Sequence, residues 1–249
     1  MNIIGHQELK KHLKILTDNS EAYRRGSINP PNFIMNLSRG NSQTVVAEYI
    51  TSTLADNQIR KFCGLDSLLE YRLDGTLSQL KYIFENQIIS RAVYTNDFVG
   101  VIAFDVSALA EYVNEFQTDF FISQISLVSQ NATLIIYYDD QLGKPIEHII
   151  QRIIDEVQNI IRIRVAPYTN KDYSNIVIEN VKERNIEIVN GKEMEDLLCK
   201  LIEINNVTTA KQAITVADKL VLLADYSNYI PRIDIKTINE HYGGEQIVV

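Results

Sequence analysis

The chain has 249 residues, 45% of them hydrophobic and 22% charged, with a formal net charge of -8. That is enough chain for a sizeable core in one large and one small domain, and the acidic balance, without any Lys/Arg cluster, argues against independent tracking of nucleic-acid phosphates. Cys63 and Cys199 lie far apart without metal-ligand spacing, the four histidines are scattered, and no leader pattern or membrane-length apolar run occurs, so free thiols, no metal centre and a cytoplasmic location are expected.

In chain order, Leu9, Leu13, Ile15 and Leu16 share a face and predict an amphipathic helix within Ile3 to Leu16. Asn29-Pro30-Pro31-Asn32 stops helical structure and leads into a short buried strand at Phe33 to Met35, after which Val45 to Leu54 return to helical spacing. The turn at Asp74-Gly75 opens a helix over Thr76 to Ile88. Val99 to Phe104 is a continuous apolar run ending at Asp105, as suits a parallel strand covered on both faces. A helix from Ser107 to Glu115, another apolar stretch, and a strand at Ala132 to Tyr138 follow.

Glu147 to Val157 reads as helix and Ile160 to Val165 as a fourth strand. Beyond Pro167 the pattern is helical throughout, at Lys171 to Arg184, Glu193 to Ile204, Thr209 to Asp225 and Ile235 to Tyr242. Strands alternating with helices and then helices alone predict an α/β domain over residues 1–167 and a small all-α domain over 168–249.

The strand, turn and helix of residues 33–50 have the outline of a phosphate loop, G-x-x-x-x-G-K-[ST], whose glycines let backbone amides close around phosphate while the lysine neutralises it and the hydroxyl binds magnesium. The frame here reads Leu37-Ser38-Arg39-Gly40-Asn41-Ser42-Gln43-Thr44. An internal glycine, Gly40, and Thr44 are present, but Leu37 and Ser42 replace the signature glycines and Gln43 replaces the lysine.

Other segments fall in order along the same frame. Ile4-Gly5-His6-Gln7-Glu8-Leu9-Lys10, Pro30-Pro31-Asn32-Phe33, Val46-Ala47-Glu48 and Tyr71-Arg72-Leu73-Asp74-Gly75-Thr76 each match a motif, as do Gly100 to Leu109 and Ala166-Pro167-Tyr168-Thr169. Together they resemble the AAA+ ATPases, particularly the branch of red-type rubisco activases and the sporulation stage V protein K. That resemblance implies an AAA+-like P-loop α/β/α domain with a parallel central sheet, then a helical lid.

It also implies where the chemistry would sit. Asp105 matches the magnesium-orienting acid of the family's Walker B strand, but the catalytic glutamate position is Val106, which cannot polarise water. The arginine-finger position falls on Gln158, with Arg152 and Arg162 close by in sequence, and Lys211 stands at the lid's sensor position. A vestigial nucleotide site would comprise Gly40, Ser42, Gln43, Thr44, Asp105 and Lys211. Beside that reading stands a plainer one, in which Gly40 permits a turn, Thr44 and Asp105 cap helices and Lys211 is solvated.

Loss of glycines, lysine, glutamate and finger together removes the main electrostatic terms of phosphoryl transfer. The expectation is a catalytically inactive AAA+-like subunit without a cofactor, working through another protein, such as an intact AAA+ paralogue, or in a homo-oligomer. The alternatives are a switch or weak ATPase that binds ATP or ADP with magnesium in a non-standard pocket, and an accessory factor of replication or recombination.

Overall fold

A computed structural model describes residues 3–60, 68–94, 100–111, 115–189 and 191–242. Cys63 and Val99 lie outside them. Five strands, β1 (Asn32–Met35), β2 (Leu68–Arg72), β3 (Val101–Asp105), β4 (Thr133–Tyr137) and β5 (Ile160–Ile163), form one parallel sheet in the order β2-β3-β4-β1-β5. Every residue of β1, β3 and β4 is buried, as strands covered on both faces require.

Parallel neighbours need crossovers, and helices provide them. One face is covered by α1 (Gln7–Asp18) and, beyond the short α2 (Ser20–Arg24), by α3 (Gln43–Asp56). Leu9, Leu13 and Leu16 of α1 and Val46, Ile50 and Leu54 of α3 pack with Phe33, Met35, Ala103 and Ile135 of the sheet. The opposite face meets α4 (Leu77–Tyr82) with a π-helical continuation over Ile83–Tyr94, α5 (Ser107–Glu111), α6 (Glu115–Val128) and α7 (Lys144–Glu156).

Its centre is aromatic. The Phe104 ring lies 5.6 Å from Phe84 and 5.3 Å from Phe121, centroid to centroid, stacked on the first and edge-on to the second. Along α7, Ile146, Ile149, Ile150 and Ile153 recur at helical spacing and are all buried.

Side chains also fasten strand to strand. Buried Asn32 accepts from the Leu134 amide at 2.8 Å and donates to the Gln158 carbonyl at 2.9 Å, which satisfies both ends of its amide away from water. At the start of α4, Thr76 and Gln79 form a capping box. The returning Gln79 side chain leaves no room at Gly75, where a Cβ would stand 2.8 Å from Gln79 Oε1.

The chain divides into two compact units, residues 1–39 with 43–165, and residues 40–42 with 166–249. The second contains α8 (Asn170–Glu183), α9 (Gly191–Ile204), α10 (Ala210–Val221) and α11 (Ile235–Tyr242). Between these helices β6 (Glu187–Ile188) and β7 (Arg232–Ile233) form a two-residue parallel ladder, an addition to the purely helical pattern expected there.

Two further differences lie in the first unit. Residues 71–76 read as a turn, yet Tyr71 and Arg72 finish an edge strand, β2, in which no residue is buried and whose apolar signal is correspondingly weak. The apolar stretch before β4 is helical, as α6, with Phe121, Ile122, Ile125 and Val128 inward. Exposed Phe116 and Leu127 blur its periodicity. Among the described residues no helix is long and apolar enough to cross a membrane.

Candidate functional site

The C-terminal ends of β1, β3 and β4 carry the residues that the motif reading selects. The loop between β1 and α3 begins with Leu37, whose side chain is 2% exposed and joins the core beneath α3. Its amide donates to the Met35 carbonyl at 2.9 Å, a tight turn immediately beyond the strand. The Gln43 side chain folds back across this loop and donates to the Leu37 carbonyl at 2.7 Å. Tyr137, buried at the end of β4, donates its hydroxyl to the Gln43 carbonyl at 2.8 Å.

Thr44 lies one residue further into α3, beside the Glu70 carboxylate of β2. Burial raises the Glu70 pKa above the ordinary value, Thr44 opposes that shift, and neighbouring Glu48 adds to it. At the end of β3, Asp105 Oδ1 accepts from the Ser107 amide at the start of α5 at 3.1 Å, a turn contact two residues along the chain rather than a helix cap. Its other oxygen, Oδ2, faces Arg39 at 3.7 Å. Val106, at the position the resemblance gives to the catalytic glutamate, is fully buried in the aromatic face of the core.

Gly40, Asn41 and Ser42 group with the second unit. Gly40 and Ser42 both have positive φ, 85° and 66°, so the serine holds a backbone conformation that normally favours glycine. The Gly40 carbonyl accepts from the Lys211 amide at 3.2 Å and Asn41 Oδ1 from the Ala210 amide at 3.4 Å. Two first-turn amides of α10, groups that could otherwise face an anion, therefore have protein acceptors. A Cβ on Gly40 would touch Thr209 at 3.4 Å. Ser42 hydrogen-bonds Tyr168, and the Lys211 side chain is exposed.

The structure thus gathers Gln43, Thr44 and Asp105 at the strand ends of the first unit, and Gly40, Ser42 and the Lys211 backbone within the second. Motif reasoning gave no site role to Arg39, Glu70 or Asp74. The one signal that pointed to Arg39 was a cationic residue directly before Gly40. Of the finger candidates, Arg152 pairs with Asp119 at 2.6 Å and Arg162 reaches the Tyr138 hydroxyl at 3.4 Å. Gln158 presents its carbonyl to Asn32.

No family model and no curated protein matches the sequence. Solved structures do match. Domain III of the replication initiation protein DnaA from Thermotoga maritima aligns with 94% of this chain and 87% of its own, at 13% identity and a TM-score of 0.52. A lysine-to-arginine mutant of RuvB from the same organism aligns with 95% of this chain and 68% of its own, at 16% identity and a TM-score of 0.60.

The fold is the AAA+ fold.

Identities this low speak for the fold alone. The motif reading assigns the phosphate loop to the β1–α3 loop and the Walker B acid to the end of β3, and in this structure Gln43 and Asp105 are engaged by other groups of the protein.

Proposed function

We propose that this chain is a non-hydrolysing AAA+-like protein that acts as a structural or regulatory subunit through contacts with another protein. The observation that carries the reading is the pairing of two positions: Gln43, in place of the lysine, is bonded to the loop's own Leu37 carbonyl, and Val106, in place of the glutamate, is buried in the core. Neither can supply charge to a triphosphate or activate water.

The donor set does not fit a magnesium triphosphate. Thr44 stands beside a carboxylate, Asp105 faces an arginine, and a triphosphate beside Glu70 and Glu48 would meet like charge. The reading therefore includes no resident nucleotide and no metal. A cytoplasmic location, a lid role for residues 168–249, and a partnership with an intact AAA+ protein or with further copies of the chain belong to the same proposal. The particular kinship to the rubisco-activase and stage V protein K branch rests on the ordered motifs alone.

Incubation of the full chain with ATP and magnesium is expected to give no phosphate release above a blank and no thermal shift, since a ligand that binds only the folded state must raise the melting temperature. Turnover abolished by Asp105→Asn would sink this reading. The partner is sought by affinity capture of the tagged chain from its native cells, with light scattering to show whether copies associate.

A further inference from the structure

Asp105 is 5% exposed, and a carboxylate so withdrawn from water is costly unless a cation and hydrogen-bond donors compensate it. The donor is the Ser107 amide on Oδ1. On Oδ2 the compensation comes from Arg39, whose Nε stands 3.7 Å away while its Nη2 lies 3.9 Å from Asp74, itself 3.3 Å from Arg72. In a magnesium-dependent AAA+ site this carboxylate would work with the threonine hydroxyl at the head of α3, and here that residue, Thr44, stands beside Glu70. Among the described residues no group of three or more His, Cys, Asp or Glu side chains is arranged to hold a metal.

We propose that Arg39 is a tethered counter-cation that takes up Asp105 in place of a divalent metal. The guanidinium comes from the loop itself, two residues beyond core-anchored Leu37, so its charge is present whether or not any ligand is. It joins the loop to the ends of β3 and β2 through Asp105 and Asp74. A metal approaching Asp105 would have to displace a cation already within 4 Å of it.

The test is Mn2+ uptake by the full chain, followed from the free-ion electron paramagnetic resonance signal without nucleotide. Wild type and Asp105→Asn are expected to take up the same small amount. Arg39→Ala is expected to take up Mn2+ with at least about tenfold higher affinity, a gain of ~1.4 kcal/mol. That gain should vanish in Arg39→Ala/Asp105→Asn and be absent in Arg39→Lys. Wild-type uptake removed by Asp105→Asn would overturn the proposal, as would an Arg39→Ala chain no better than wild type. Circular dichroism of each variant ensures that folded chains are compared, with Arg39→Gln as the replacement should alanine unfold. Failure here separates cleanly from failure of the functional reading: Mn2+ uptake without ATP turnover removes only the counter-cation.

Discussion

Strand β3 and the β1–α3 loop hold their shape by opposite means. β3 is apolar from Val101 to Phe104, fully buried, and fixed by packing that tolerates almost no change in volume. The loop is polar, and apart from Leu37 it is fixed by hydrogen bonds and an ion pair. The packing that carries the fold and the polar ties at its strand ends are therefore separable in this chain. A fold can persist on dispersion and burial whatever the charged groups at its strand ends engage.

The comparison can be broken hardest at the aromatic centre. Phe104→Ala should cost about 3–5 kcal/mol of unfolding free energy, because the cavity it leaves between Phe84 and Phe121 collapses only partly. Denaturant titration reads it, and a loss below about 1 kcal/mol would mean that this core is not packed as described. Leu37→Gly, which installs the signature glycine, should cost about 3 kcal/mol from lost burial and added chain entropy. If it proved neutral, the loop would not be anchored through that side chain.

Polar ties should matter less. Gln43→Ala removes one bond to the Leu37 carbonyl and is expected to cost about 1 kcal/mol, and Gln43→Lys should add no ATP binding in a thermal-shift titration. A lysine variant that gained ATP binding would show that one charge was all the site lacked.

The smallest effect concerns pH. Burial raises the Glu70 pKa, so the folded chain binds that proton more tightly than the unfolded chain does. The ionised group therefore opposes folding above its folded pKa, and the penalty disappears as pH falls through the ordinary glutamate value. Glu70→Gln should accordingly be slightly more stable than wild type at about pH 8, with melting curves converging near about pH 4. A gap that widened on acidification would contradict the assigned sign.

How much of this was legible follows the same division. β1, β3 and β4 announced themselves as continuous apolar runs because a doubly covered strand has no polar face to show. β2 did not, since Glu70 and Arg72 on an edge strand look like loop. α6 was hidden because Phe116 and Leu127 add apolar residues on the side that periodicity needs to be polar. At the candidate site, Gln43 and Val106 could be read from position as departures from the motif, whereas the Gln43-to-Leu37 closure and the Arg39-to-Asp105 pair could not. The second joins residues far apart in sequence, and only the strand order brings them together.

Leu37 has one more implication, for how this loop could change over time. A glycine there would first take a leucine from beneath α3 and leave a less stable protein. On the non-hydrolysing reading proposed above, each substitution towards the phosphate-loop consensus at positions 37 and 43 therefore gives up packing, or the glutamine's tie to the Leu37 carbonyl, before it gains a ligand.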